Sequence, residues 1–320
     1  MPRFATLFSA RALFAALIAT GALADAAQGA GKQLLVTSFF SSRVVSFDID
    51  SGARLGDTGA VPSFAAPLCT RVGPDGRLYV ASEGTDRIFR FDVGTLALID
   101  TFTAPGSSVL DQPSALAWDA SGDLLVASFS GDKVQRFDGA TGAFEGTFIA
   151  ANAGGLNGPD NGMTFGPDGH LYIPSYYTNS ILKYDGQTGA FLGSFISGIS
   201  RPRVLEFRGG DLFITSETAD AVLRYNGATG EFLGNFTTPG AGGMDTPVGL
   251  AFADGFMFVT SLENDSVLRF DAATGAFIDV FASGAGIGLN GPVFLTVVPA
   301  PPVAGAMIPA LLALGVRRRR

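Results

Sequence analysis

Short apolar runs separated by polar turn residues recur along this chain. Within residues 122–148 they occupy positions 124–128, 134–137 and 143–148. Each run is too short for a helix and is rich in β-branched or aromatic residues, so each predicts a β-strand. The segment from Asp138 to Gly142 reads DGATG and predicts a tight turn, in which glycine supplies a positive φ.

The same unit occurs six times, and a serine ends the first strand of each copy. These serines are Ser38, Ser82, Ser128, Ser175, Ser216 and Ser261, at steps of 44, 46, 47, 41 and 45 residues. The second strand of every copy ends in Phe or Tyr followed by Asp or Asn. A period in the forties with several strands per copy is typical of β-propeller blades.

A fourth strand precedes five of the copies and usually opens with proline; it occupies residues 67–72, 113–118, 160–165, 202–207 and 247–252. The first copy, which starts at Gln33, has no such strand before it, while residues 292–297 remain unused at the other end. We therefore predict an all-β, six-bladed β-propeller of four-stranded antiparallel blades. The C-terminal strand 292–297 completes the first blade and closes the ring without an open edge. An open array of the six copies is the alternative.

Several segments carry a resemblance to a known architecture. They read PVGLAF at 247–252, GPDGRLYVAS at 73–82, GPDGHLYIPS at 166–175 and VLRFD at 267–271. The repeats resemble NHL-type blades and the wider six-bladed family that includes SMP-30/gluconolactonase and virginiamycin B lyase. The resemblance covers residues 33–298 and implies the propeller fold, but propellers host unrelated functions.

The N-terminus has the pattern of a secretory signal peptide. Arg3 and Arg11 supply positive charge, residues 12–20 are apolar, and Ala22-Leu23-Ala24 offers small residues for cleavage. We assign residues 1–24 to the signal peptide and residues 25–32 to a short leader. A first buried helix is the alternative.

The C-terminal segment 299–320 combines prolines, an apolar run and an arginine cluster. Residues 297–316 are apolar apart from four prolines and are just long enough to cross a bilayer. It resembles the PEP-CTERM sorting tail of Gram-negative bacteria, with Ala300 where the common motif has Glu. The matching residues are Val298, Pro299, Pro301, Arg317, Arg318, Arg319 and Arg320. The resemblance implies export, transient anchoring in the inner membrane and cleavage by an exosortase-type enzyme. A plain tail anchor is the alternative.

Composition and charge narrow the function classes. The chain has 320 residues, of which 47% are hydrophobic, so one domain with a large core is expected. Without residues 1–24 and 317–320 it carries 15 basic and 29 acidic residues, and such an acidic body does not bind nucleic acid. Cys69 is the only cysteine, which excludes an intrachain disulfide and a multi-thiolate metal site.

The second residue of each inner strand is expected near the central channel. These positions hold Leu68, Ser114, Asn161, Arg203, Val248 and Val293. The gluconolactonase resemblance implies a channel metal held by Glu, Asn and Asp, and only Asn161 matches. Glu206 lies out of phase with Arg203 and is expected to face the other side of its strand. We predict no cofactor, because a divalent cation such as Ca²⁺ needs more oxygen ligands than this set offers.

The lyase resemblance implies a catalytic histidine. His170 is the only histidine and follows a turn, away from the predicted channel. A hydrolase triad also needs a histidine base, and nothing pairs with His170 at a recognisable spacing. We predict no catalytic residue.

The loops between the first and second strands carry the candidate ligand-binding residues. The variable positions of these loops are aromatic in three copies and acidic in the other three: Phe39, Phe40, Glu83, Phe129, Tyr176, Tyr177, Glu217 and Glu263. Exposed aromatics beside carboxylates suit sugar rings or a cationic partner. The fourth residue after each serine is Ser42, Asp86, Asp132, Asn179, Asp220 or Asp265, which predicts turn chemistry.

These patterns favour an exported, monomeric propeller of the cell envelope or extracellular matrix. We expect a non-catalytic binding module whose ligand is a carbohydrate or a protein. The alternative is a divergent lactonase-like or lyase-like enzyme with a metal in the channel.

Overall fold

A computed structural model describes residues 31–103 and 109–300, in which Lys32–Val298 form one compact unit. The predicted signal peptide, nearly all of the leader, and the tail from Pro301 through Arg317–Arg320 lie outside the described residues. Within the described ranges, no helix has the length and apolar character needed to span a membrane.

The described residues form six antiparallel sheets of four strands each, which confirms the predicted six-bladed propeller. Blade 1 contains β1 (Lys32–Ser38), β2 (Arg43–Asp48) and β3 (Arg54–Asp57). Blade 2 contains β4 (Pro67–Val72), β5 (Leu78–Ser82), β6 (Arg87–Phe91) and β7 (Leu98–Thr101), and blade 3 contains β8 (Pro113–Trp118), β9 (Leu124–Ser128), β10 (Lys133–Phe137) and β11 (Phe144–Ile149). Blade 4 contains β12 (Thr164–Phe165), β13 (Leu171–Ser175), β14 (Ser180–Tyr184) and β15 (Phe191–Ser197).

Blade 5 contains β16 (Pro202–Arg208), β17 (Asp211–Ser216), β18 (Ala221–Asn226) and β19 (Phe232–Asn235). Blade 6 contains β20 (Pro247–Ala253), β21 (Phe256–Ser261), β22 (Ser266–Asp271) and β23 (Phe277–Ser283). Single 3₁₀ turns occur in the connections at Glu83–Thr85, Ala153–Gly155, Glu217–Ala219, Ala241–Gly243 and Ala285–Ile287.

The last strand of the chain closes the ring. β24 (Pro292–Pro299) pairs with β1, so blade 1 has the strand order β24-β1-β2-β3. The predicted closure is confirmed, and the strand is two residues longer than the predicted 292–297. Blade 1 therefore joins the two ends of the repeat region, and its inner strand leaves no unpaired edge beside β1.

The inner strand of blade 4 departs from its prediction of 160–165, because only Thr164 and Phe165 form a strand. The preceding residues turn instead: the Met163 N–H donates to the Asp160 carbonyl at 3.4 Å, and Pro159 makes an isolated bridge to Ser175. A Cβ at Gly162 would collide with the carbonyl oxygen of Arg203. The sequence Asp-Asn-Gly favours a turn over a strand, and Gly162 permits a close approach to blade 5.

The repeated serines hold the inter-blade loops against their own blades. Ser82 Oγ donates to the Ala65 carbonyl at 2.7 Å and accepts the Ala65 N–H at 3.1 Å. The same pair of bonds joins Ser38 to Asn290, Ser175 to Asn157, and Ser261 to Asp245. In blade 1 this bond fixes the loop that leads into the closing strand.

The residue four positions after each serine links one blade to the next. All six adopt left-handed backbone conformations, as their turn role requires. Their side chains also accept N–H groups from the loop that enters the following blade. These bonds join Ser42 to Ala66, Asp86 to Gln112, Asp132 to Gly158, Asn179 to Arg201, Asp220 to Thr246 and Asp265 to Gly291.

Loss of one such bond should be measurable where blade 6 meets the loop that leads into β24. Asp265 Oδ1 accepts the Gly291 N–H at 2.7 Å, so we expect Asp265→Ala to cost about 1–3 kcal/mol of unfolding free energy in denaturant titrations. Asp265→Asn should retain most of the stability, because Asn179 makes the same bond in blade 4. Asp50→Ala, at an exposed position, is the matched control. Equal losses of unfolding free energy in Asp265→Ala and the control would contradict a stabilising role for the bond between Asp265 and Gly291.

Apolar side chains fill the ring at mid-height. Cys69, Leu116, Val204, Leu250 and Phe294, from five inner strands, belong to one buried cluster. Cys69 is fully buried, and burial raises the pKa of its thiol to about 11. The filled axis leaves cavities at the two ends of the inner strands.

Candidate functional site at the channel mouth

A cavity of about 140 Å³ lies where the inner strands begin. Every blade contributes to its lining, which consists of Phe39, Phe40, Leu68, Glu83, Phe129, Asp160, Arg203, Leu262 and Val293. Four of these were predicted in the ligand-binding loops and three near the channel. The cavity therefore lies on the propeller axis and brings the two predicted sets of residues together.

Glycines in the inter-blade loops make room for the aromatic rings. A Cβ at Gly291 would collide with the Phe40 ring, and one at Gly158 would lie 2.8 Å from the Tyr177 ring. Both glycines also have positive φ, at 65° and 66°. Larger residues would displace the rings as well as strain the loops.

The aromatic side chains form two groups on the rim. Phe39 and Phe40 meet edge to face with ring centroids 5.2 Å apart. Phe129 lies 5.6 Å from Tyr177, which lies 5.0 Å from Tyr176. Phe40 and Tyr177 remain 64% and 60% exposed, so each group presents a large ring to solvent beside the cavity.

An ion-pair network occupies one side of the site. Arg203 Nη1 lies 3.1 Å from Asp160 Oδ2 and 3.2 Å from Glu217 Oε2. Glu217 Oε1 accepts bonds from the Tyr176 hydroxyl and from Arg201 Nη1, both at 2.9 Å. Burial and the Glu217 charge raise the pKa of Tyr176 to about 12, so the phenol stays a donor. Tyr176 and Glu217 thus support the cavity wall from outside the lining.

Buried polar atoms at the site lack hydrogen bonds. Asp160 Oδ2, Asn161 Oδ1 and Arg203 Nε have no hydrogen-bond partner among the described residues, although Asp160 and Arg203 form an ion pair. Asp160 is only 1% exposed, and this burial raises the pKa of its carboxyl against the opposing effect of Arg203. Such atoms keep free capacity for a ligand.

Four other predicted residues do not line the cavity. Asn161 is fully buried and donates its amide to the Val293 carbonyl at 3.3 Å, and Ser114 Oγ donates to the Pro159 carbonyl. Val248 is buried against Leu68 and Val293. Glu263 is exposed and does not line the cavity.

Asp160 was missed as a site residue, because it was interpreted as the first residue of a strand. Proline opens the inner strand in the other five blades, at Pro67, Pro113, Pro202, Pro247 and Pro292. Pro159 is the equivalent proline in blade 4, because it bridges Ser175 as Pro67 pairs with Ser82. Counting from Pro159 places Asp160 at the second, channel-facing position, and this was the available signal. The turn places its carboxylate at the axis instead of continuing the ladder.

The described residues contain one acidic group spaced for a metal ion, Asp123, Asp138 and Glu145, away from the axis. Arg136 already pairs with it, at 2.8 Å from Asp123 and 3.4 Å from Glu145. His170 Nδ1 lies 3.9 Å from Asp185 and does not line the mouth cavity. Neither feature adds chemistry to the channel mouth.

A second cavity, of about 320 Å³, lies at the opposite end of the inner strands. Glu206 lines it with Arg71, Thr164 and Thr296, so the expectation that Glu206 faces away from the channel was wrong. The pairing of β16 with β17 skips one residue between Pro202 and Leu205. This bulge shifts the alternation of side chains, which brings Glu206 to the axis. Burial raises the pKa of Glu206 to about 7, against the opposing charges of Arg71 and Arg208.

Glu206 should make stability depend on pH. Its carboxyl has a pKa of about 7 when folded and an ordinary value of 4.5, so the folded state holds the proton more tightly. The stabilisation is complete below pH 4.5 and is lost as pH rises through 7. From pH 5 to pH 8 the unfolding free energy of the wild type should fall by up to about 3 kcal/mol more than that of Glu206→Gln. Parallel pH curves for the two proteins would contradict the shift.

No protein-family model matches the chain, and no curated protein matches it. Among solved structures, a chain in the nidogen/laminin complex has a TM-score of 0.65 and 16% identity over 83% of this chain and 98% of that one. A catalytically inactive virginiamycin B lyase from Staphylococcus aureus, solved with quinupristin, has a TM-score of 0.59 and 15% identity over 85% and 93%. A protein of unknown function from Bacteroides caccae gives 0.65 and 11% over 84% and 99%. The likeness establishes the propeller fold, which binding proteins and enzymes share.

Proposed function

We propose that this protein is an exported, non-catalytic binding module that holds its ligand at the channel mouth. The observation that carries the proposal is the cavity lined by all six blades and flanked by the exposed rings of Phe40 and Tyr177. Exposed aromatic rings around a concave site are a common feature of ligand-binding surfaces.

Arg203, the one cation of the cavity lining, is suited to orienting a ligand. Arg203 is held between Asp160 and Glu217, and its guanidinium lies 5.3 Å from the centre of the Tyr176 ring. A charge fixed in this way can orient a ligand, but it is poorly placed to move a proton.

The cellular setting is proposed from the two ends of the sequence. Residues 1–24 have the pattern of a signal peptide, and residues 299–320 resemble a PEP-CTERM tail. We place the protein in the cell envelope or matrix after transient inner-membrane anchoring and processing by an exosortase-type enzyme. Within propellers, we assign the repeats to the NHL or SMP-30 type.

The test measures binding of the purified full chain to isolated envelope and matrix material from the producing cells. We expect Phe40→Ser combined with Tyr177→Ser to lower retention at least tenfold. Phe232→Ser, at a 54% exposed position on an outer strand, is the control. Retention unchanged by the double variant would contradict the proposal. A stoichiometric divalent ion whose removal abolishes lactone or lyase turnover would favour the enzyme alternative.

A further inference from the structure

We infer that the mouth cavity binds one slender cationic group, an alkylammonium or a guanidinium. The inference rests on the proposed function, which makes the mouth the ligand site, and it adds the chemical class of the ligand.

The cavity lining has more negative than positive charge. Glu83 and Asp160 are its two carboxylates, and Arg203 is its one cation. Arg203 is already shared between Asp160 and Glu217. Glu83 makes no ion pair within the part of the chain that the structure describes. A ligand that brings one positive charge would balance the site.

One buried acceptor of the lining has unused capacity. Asp160 Oδ2 forms an ion pair with Arg203 Nη1, at 3.1 Å, but has no hydrogen-bond partner among the described residues, so it can accept a bond from a ligand N–H group. Burial raises the pKa of Glu83, the Asp160 and Asp86 charges raise it further, and Arg203 opposes the rise. Burial therefore destabilises the charged form of both carboxylates, and a bound cation would stabilise that form.

The walls suit a cation on an apolar stem. Phe39, Phe40 and Phe129 offer aromatic faces, while Leu68, Leu262 and Val293 are aliphatic. Aromatic faces attract ammonium and guanidinium groups, and apolar walls cover methylene stems. The volume of about 140 Å³ is small beside drug-sized pockets. A sugar ring would bring several hydroxyls to a largely apolar wall.

The inference is tested by calorimetric titration of the full chain with n-butylammonium and methylguanidinium, against n-butanol as a neutral probe of similar size. We expect saturable binding of a cation and at least tenfold weaker binding of n-butanol. Glu83→Gln should weaken cation binding at least tenfold, and Glu263→Gln should leave it unchanged. Affinity should fall as pH falls, because Glu83 and Asp160 take up protons while Arg203 keeps its charge. Lysine-containing and arginine-containing peptides, compared with the free amines, distinguish a protein side chain from a small metabolite.

Failure of this inference is separable from failure of the proposed function. Equal binding of n-butanol, an inert Glu83→Gln, or preferred binding of neutral monosaccharides would overturn the cationic ligand. In those cases loss of envelope binding in the Phe40→Ser and Tyr177→Ser variant would still support a ligand site at the mouth. Absence of binding by every cationic probe and peptide also overturns the inference.

Discussion

Replacing Phe294 with alanine is expected to lower the free energy of unfolding by about 3–5 kcal/mol. Phe294 lies on the closing strand β24, is 1% exposed, and belongs to the cluster that fills the axis. The Arg71 guanidinium lies 5.1 Å from the centre of its ring. The substitution therefore opens a cavity where blade 1 meets the inner strands of the other blades. Guanidinium chloride titrations would measure the loss.

Phe232→Ala is the matched control, because it removes the same side chain from a 54% exposed position on β19. We expect a change within about 1 kcal/mol there. Native-state hydrogen exchange adds a second measurement. If β24 closes the ring, its amides should exchange only through global unfolding, like those of β9 and β10. Equal losses in the two variants, or early exchange of β24, would contradict the closing role.

The repeat could be recognised from the sequence because its recurring residues make the same hydrogen bonds in each blade. Ser82 fastens the loop before its blade, and Asp86 fastens the loop that enters the next one. Since each blade needs both bonds, both residue types recur at constant spacing. Only the first copy lacked an inner strand, so residues 292–297 were predicted to pair with β1, as they do.

Side-chain direction in the inner strands could not be predicted, because bulges interrupt the alternation. The skipped position in β16 reversed the side on which Glu206 was expected, and similar shifts occur at the start of β4 and β20. A bulge adds one residue without a distinct sequence pattern. In blade 4, Asp160 enters the mouth through a turn where a strand was predicted.

The second large effect is expected at the mouth, where Arg203→Met should cost about 3–5 kcal/mol of unfolding free energy. Methionine keeps much of the apolar stem but removes the cation 3.1 Å from Asp160. The carboxylate of Asp160, which is 1% exposed, would then be buried without its counter-charge. Adding Asp160→Asn should recover a large part of the loss, because a neutral amide has a smaller desolvation cost.

Arg201→Met distinguishes this explanation from a general loss of ion pairs. Arg201 also pairs with Glu217, at 2.9 Å, but its side chain is 50% exposed, so water screens the pair and its removal should have a much smaller effect. The pH dependence of the unfolding free energy is an independent test. Without Arg203 the already raised pKa of Asp160 rises further, so the variant should regain stability relative to the wild type as pH falls and Asp160 becomes protonated. A deficit that stays constant from pH 8 to pH 4, or one that Asp160→Asn does not reduce, would mean that the lost packing of Arg203, and not the buried charge of Asp160, sets the stability of the mouth.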